Sequence, residues 1–237
     1  QLAPTFQGKV ITFGLGKTNQ IRAESIKKVG DYAQAFNIFI KGEKIPVKIN
    51  LPGIHNVLNA LSGAAIAFCL SISNELITQG LGKFKPIKGR FHFIDLNSGI
   101  RIIDDTYNAN PSSLRAALQT IKGLVGKNQG LVIGLGEMME LGKESSKYHF
   151  DAGQLVAAMG ARYLVVMGEH GRNVIEGACQ GGMDRKQTHI ATTHAEMSDL
   201  IKANTQKSDI LFMKGSRKVA LDKVVEAVSE YFGLSKG

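Results

Sequence analysis

The spacing of hydrophobic positions changes part-way along this chain, and the change divides it. Before residue 50 the apolar residues come in short, β-branched runs: Val10-Ile11-Thr12-Phe13, Phe36-Asn37-Ile38-Phe39-Ile40 and Pro46-Val47-Lys48-Ile49. These predict strands, and Lys41-Gly42-Glu43-Lys44 predicts the hairpin turn joining the last two. Helical spacing follows over residues 56–70 and 74–82. Residues 83–89 are basic and punctuated by Pro86 and Gly89, as a linker would be. Beyond them, strand-like runs at 91–96, 101–103, 131–135, 163–167, 188–191 and 210–213 are interleaved with helical stretches at 113–124, 145–159, 171–179, 195–206 and 218–232. Strand alternating with helix predicts a mostly parallel sheet with helices on both faces. We therefore expect an α/β chain of two domains, residues 1–88 and 89–237.

Composition narrows the class. An apolar content of 43% over 237 residues supports real cores. No uncharged apolar run reaches the length of about 18 residues that a membrane span needs; the longest candidate, residues 60–72, is interrupted by Ser62, Gly63 and Ser71. Residues 1–6 lack the basic and apolar regions of a signal peptide, so we expect a cytoplasmic protein with no membrane partner. The first residue is not Met, which fits a processed or truncated chain. Cys69 and Cys179 have no CxxC neighbour, so zinc and redox motifs are unsupported and free thiols are expected. The net charge of +9 could draw in nucleic acid, anionic lipid or phosphorylated small molecules. The basic residues are scattered and Trp is absent, so stacking platforms for single strands are poorly supported. Acidic small molecules are favoured over nucleic acid.

The candidate chemistry gathers where strands end. Asp104-Asp105-Thr106-Tyr107-Asn108-Ala109-Asn110-Pro111-Ser112-Ser113 lies between a strand-like run and an amphipathic helix. In open α/β sheets ligands bind there, outside the carboxyl ends of strands. The alternative is an N-cap with Asx-turns, and Pro111 fits a first helical turn. Lys214-Gly215-Ser216-Arg217 opens the last helix after a strand and matches an anion or carboxylate site at a helix start, although a basic turn would look the same. Asn56 and Asn59 are three apart at a helix start, share a face, and point toward its positive end; the alternative is a cap and a buried amide. A lone His55 beside them is read as structural. Gly14-Leu15-Gly16-Lys17-Thr18 is not a P-loop, because Ile11 stands where the first Gly belongs. In Gly134-Leu135-Gly136-Glu137-Met138-Met139, Met139 stands where a dinucleotide fingerprint has its third Gly. The loop from Gly136 to Gly142 carries two Met and two Glu, which could line a cleft or serve packing and the helix dipole.

Five segments in this order resemble the Mur ligases of peptidoglycan synthesis: Gly53-x-His55-Asn56-x-x-Asn59-Ala60; Gly89-Arg90; Asp104-Asp105-Thr106-Tyr107-Asn108-Ala109-Asn110-Pro111; Gly136-x-Met138-x-Glu140-Leu141-Gly142; and Lys214-Gly215-Ser216-Arg217. The third segment resembles the branch that adds D-alanyl-D-alanine. The resemblance implies the end of a P-loop-type α/β ATPase domain followed by a Rossmann-like ligase domain. It implies an ATP- and Mg2+-dependent reaction joining D-alanyl-D-alanine to UDP-N-acetylmuramoyl-tripeptide through an acyl phosphate, by a monomer. By the same resemblance Asn56, Asn59, Arg90 and Asp105 face the nucleotide, with Asp105 on its ribose. Asn108, Asn110, Lys214, Ser216 and Arg217 would border the D-alanyl-D-alanine site. The family's P-loop and metal ligands would precede residue 1, so no metal ligand is expected here and the fragment alone would be inactive. Competing readings are a different Mur ligase or folylpolyglutamate-synthetase-like ligase, a non-catalytic basic module binding nucleic acid, and a dinucleotide-binding domain, the last disfavoured by Met139.

Overall fold

The structure is a computed structural model that describes residues 6–233. Of residues 1–6, on which the expectation of no signal peptide rests, residues 1–5 lie outside the described residues. The chain forms two compact units that meet between Lys85 and Pro86.

In the first unit a four-stranded sheet of β1 (Phe13–Gly14), β2 (Ile21–Val29), β3 (Ala33–Ile40) and β4 (Glu43–Ile49) precedes α1 (Ile54–Cys69) and α2 (Asn74–Lys83). The strands lie in chain order; β2, β3 and β4 pair antiparallel, and β1 pairs parallel to β2. Lys41 and Gly42 form the β3–β4 turn, with φ of 52° and 84°. Two positive φ values in a two-residue loop match the right-handed twist of the flanking strands, and glycine takes one of them without strain. Alternate residues Phe36, Ile38 and Ile40 of β3 are buried against Val57, Leu61 and Ala64 of α1. Two expectations need correction. Residues 10–13 contribute only Phe13 to the sheet, because Val10, Thr12 and Phe13 are exposed and have no core to bury into. Strand β2 was not anticipated, because only Ile21 and Ala23 point into the core before the pairing shifts between Glu24 and Lys27 and the rest turns polar.

In the second unit the elements are β5 (His92–Asp95), β6 (Arg101–Asp105), α3 (Pro111–Lys122), β7 (Leu131–Gly136), α4 (Ser145–Ala158), β8 (Tyr163–Met167), α5 (Gly171–Gln180), β9 (Thr188–Ile190), α6 (His194–Asn204), β10 (Ile210–Lys214) and α7 (Asp222–Phe232). The strand order is β5-β6-β10-β7-β8-β9, all parallel except β5, which runs antiparallel to β6. The central strands are buried on both faces, so they read as continuous apolar runs. Successive residues serve opposite faces: Ile103, Ile133 and Phe212 pack with α3, α4 and α5, whereas Ile102, Val132 and Leu211 pack with α6 and α7. The last helix starts at Asp222 and not at 218 as its pattern predicts; a 3-10 turn at Arg217–Val219 and Ala220 in the left-handed region (φ 54°) intervene. Among the described residues no helix is long and apolar enough to cross a membrane.

This topology selects a location. The helices that follow β6 and β7 pack on one face of the sheet, and the helix that follows β10 packs on the other. The chain therefore leaves neighbouring strand ends in opposite directions on both sides of β10. Such switch points open crevices at the carboxyl ends of the strands.

Candidate functional site

At the end of β6 the two adjacent carboxylates separate in role, because consecutive strand residues point to opposite faces. Asp104 is fully buried. It accepts hydrogen bonds from the Gly89 N–H at 3.0 Å, the Thr106 N–H at 3.2 Å and the Thr106 hydroxyl at 2.6 Å. It braces the strand tip against the segment that enters the unit. Gly89 takes φ 78°, and a Cβ there would lie 3.3 Å from the Tyr107 nitrogen. Asp105 is the outward partner. Its Oδ1 accepts the Phe91 N–H at 3.1 Å and its Oδ2 accepts a hydrogen bond from the Lys214 Nζ at 2.6 Å. Arg90 is exposed and its guanidinium lies 4.1 Å from the centre of the Tyr107 ring, within cation–π range.

Lys214 ends β10, the strand flanked by the switch points, and is 2% exposed. A buried ammonium needs both a counter-charge and hydrogen-bond acceptors. Lys214 finds the first in Asp105, and a further acceptor in the Asn108 carbonyl at 2.9 Å. Ser216 continues the fastening. Its backbone N–H donates to the Glu137 carbonyl at 3.0 Å, and its hydroxyl accepts the Met139 N–H at 3.0 Å and reaches the Ala109 carbonyl at 3.5 Å. The loops after β6, β7 and β10 are thus tied together through Lys214 and Ser216.

The remaining expected residues are less central. The Asn110 Oδ1 accepts the Ser113 N–H at 2.8 Å, which makes Asn110 the N-cap of α3 in a reciprocal capping box. The Asn108 side chain accepts the Ala109 N–H at 2.9 Å. Arg217 is exposed and paired with Asp222 at 3.0 Å, outside the Lys214 cluster. In the first unit the buried Asn56 donates its amide to the Pro52 carbonyl at 2.7 Å. The exposed Asn59 reaches the Asn56 Oδ1 at 3.5 Å. The two amides share a face, as their spacing predicts.

A second cluster escaped the sequence reading. Glu137 after β7, His149 in α4 and His170 after β8 converge, with the imidazole rings stacked at 4.7 Å. Glu137 Oε1 lies 2.5 Å from His170 Nδ1, and Oε2 accepts the His170 N–H at 3.1 Å. The buried His149 accepts the Met138 N–H at Nε2 (3.0 Å), and its Nδ1 lies 2.8 Å from the Ser145 carbonyl. Those contacts fit a neutral ring protonated at Nδ1. Burial lowers the His149 pKa below its ordinary 6.5, against the opposing pull of the Ser145 carbonyl and Glu137. The three residues have the chemistry of metal ligands, but the geometry is that of a closed hydrogen-bond network. Two ligands on one tetrahedral zinc stand about 3.3 Å apart, given bonds of about 2.0–2.1 Å, farther than the 2.5 Å between Glu137 and His170. The His149 Nε2 lone pair is spent on Met138. No local motif could have revealed this cluster, because its members come from three separate segments.

Comparison with known proteins follows the same division of the chain. Residues 89–217 match the family model described as Mur ligase, glutamate ligase domain, and residues 1–67 match the Mur ligase middle domain. The chain is 29% identical over 219 residues to the UDP-N-acetylmuramoyl-tripeptide--D-alanyl-D-alanine ligase of Bacillus subtilis, covering 92% of this chain and 47% of that protein. It is 31% identical over 202 residues to the ligase of the same name from Escherichia coli, covering 85% and 43%. A crystal structure of MurF from Acinetobacter baumannii superposes with a TM-score of 0.79 at 29% identity, over 93% of this chain and 47% of that one. The chain spans about half the length of the curated relatives it matches.

Proposed function

This chain belongs to the Mur ligase family, and from that premise we propose that it is part of an ATP-dependent ligase that joins D-alanyl-D-alanine to UDP-N-acetylmuramoyl-tripeptide. Residues 1–88 then form the end of the central ATPase domain and residues 89–237 the ligase domain. The observation that carries the reading is the fastened set of strand tips around Lys214, where Asp105, Asn108, Ser216 and Glu137 meet at the switch points of the sheet. Polar groups of that kind, at that place in a parallel sheet, are built to hold a ligand.

The reaction would activate the terminal carboxylate of the tripeptide as an acyl phosphate, after which the amine of the dipeptide attacks and phosphate leaves. Little covalent chemistry falls to side chains in the first step; positioning and charge neutralisation dominate phosphoryl transfer. Asp105 keeps acceptor capacity beyond its two bonds and suits two ribose hydroxyls. Arg90, exposed and preset on Tyr107, suits a phosphate. Asn56 and Asn59 face the nucleotide from the first domain. Asn108, Asn110, Lys214, Ser216 and Arg217 border the dipeptide site, Asn110 through the cap that sets its loop. The enzyme works as a monomer in the cytoplasm, with no nucleic-acid partner.

The test is phosphate release by the full-length enzyme that carries this chain, assayed with ATP, UDP-N-acetylmuramoyl-tripeptide and D-alanyl-D-alanine together and with each omitted. Release that requires all three is expected. Release that proceeds with a single amino acid in place of the dipeptide would move the protein to another branch of the family.

A further inference from the structure

Lys214 touches both proposed half-sites. Its Nζ holds Asp105, the carboxylate on the nucleotide side, at 2.6 Å. The same Nζ holds the carbonyl of Asn108, in the loop on the dipeptide side, at 2.9 Å. The two bonds run from one ammonium to residues 109 and 106 positions away in the chain, and that ammonium is almost wholly shielded from water. Its burial argues against a primary role as a ligand for a solvent-borne substrate. Two of its three N–H groups are committed, and it ends β10, which lies between β7 and β6, the strand whose end and following loop carry Asp105 and Asn108. Substrates would therefore meet the groups it holds, and not the ammonium itself.

We propose that Lys214 is a positioning residue that couples the nucleotide-facing carboxylate to the dipeptide-binding loop, so that occupancy of one half-site is felt at the other. This rests on the ligase reading given above. The physical basis is a shared ammonium. Movement of Asp105 toward ribose hydroxyls changes the geometry of the Lys214 Nζ, and with it the placement of the Asn108 carbonyl and of the Ala109 carbonyl held by Ser216. A coupling of this kind is reciprocal for binding. It also explains why a lysine is used. A single tetrahedral ammonium donates in three directions, enough to bridge two acceptors that share no backbone hydrogen bond with each other.

The signature is a pair of cross-effects in the full-length enzyme. Lys214→Met keeps the alkyl chain and removes the bridge; it is expected to raise the KM for ATP and the KM for D-alanyl-D-alanine each by tenfold or more, leaving that for UDP-N-acetylmuramoyl-tripeptide within twofold. Asp105→Asn keeps the shape and removes the charge; it is expected to raise the KM for D-alanyl-D-alanine several-fold as well as that for ATP, although Asp105 lies on the nucleotide side. The double variant is expected to be no worse than Lys214→Met alone. A Lys214→Met enzyme impaired only toward D-alanyl-D-alanine would make Lys214 a direct ligand and overturn the coupling. An Asp105→Asn enzyme impaired only toward ATP would overturn it too, and stands as the test if Lys214→Met does not fold. Failure of the wild-type enzyme to use these substrates would instead refute the ligase reading. Hydrogen exchange of the amides of residues 106–110, which Lys214→Met should accelerate, then decides whether the bridge orders the loop.

Discussion

The helix start in the first unit and the strand tips in the second both gather polar side chains, but by different physics. Around Pro52 to Asn59 the amides are satisfied within a few residues: Asn56 by Pro52, and Asn59 by Asn56. Each bond spans three or four positions, so helical geometry alone creates it. At the strand tips the side-chain bonds of Lys214 and Ser216 join residues 77 to 109 positions apart, and those of Lys214 enclose charge. Lys214 and Asp105 form an ion pair whose lysine is sealed from water. A local arrangement can be lost without disturbing its neighbours. A buried, charged and long-range one cannot, because removing one partner leaves the other desolvated and unpaired.

That contrast orders the expected effects of substitution. The largest should come from Asp105→Ala, which leaves the Lys214 ammonium without its counter-charge. Breaking a buried pair costs about 3–5 kcal/mol, and the lower end is expected because Asp105 keeps some exposure. Denaturant unfolding measures it, and a loss below about 1 kcal/mol would place the pair in the class of surface ion pairs. Any activity lost by this variant therefore mixes stability with binding, which is why Asp105→Asn is the cleaner probe of function.

A smaller effect should follow pH. His149 is held neutral by burial, with its pKa below 6.5. The unfolded chain, with its histidine at the ordinary value, takes up the proton first as pH falls. Stability is therefore whole above about pH 7 and declines as pH drops below 6.5, toward the folded-state value. His149→Gln retains an acceptor for the Met138 N–H and should flatten that part of the profile. An unchanged profile would mean that other groups govern the acid limb.

The smallest effect belongs to the first unit. Asn59 is exposed and its side-chain hydrogen bond to Asn56 is long, at 3.5 Å. Asn59→Ala should change stability by no more than about 0.5 kcal/mol, read by thermal unfolding. A loss several times larger would erase the distinction between the two regions.

Much of this molecule was legible before any coordinates. Periodicity located six strands and five helices of the second unit, because the central strands are buried on both faces and the helices carry one apolar stripe each. Polar clusters after the strand-like runs marked the carboxyl end of the sheet as the place to look, with Asp105, Asn108, Lys214 and Ser216 among them. The antiparallel pairing of β5 was not legible, since direction along a strand leaves no trace in its spacing. Strand β2 was lost because only Ile21 and Ala23 of its nine residues are buried.

What the sequence determined by itself was therefore local: which segments become helix or strand, which residues cap them, and which polar groups stand at their ends. Tertiary structure alone decided that β10 inserts between β6 and β7, that Asp104 becomes a brace while Asp105 becomes a partner, and that Glu137, His149 and His170 meet. The reason is range. Backbone periodicity and capping act across a few residues, whereas the pairing of a buried charge depends on which distant segment the topology carries to its side.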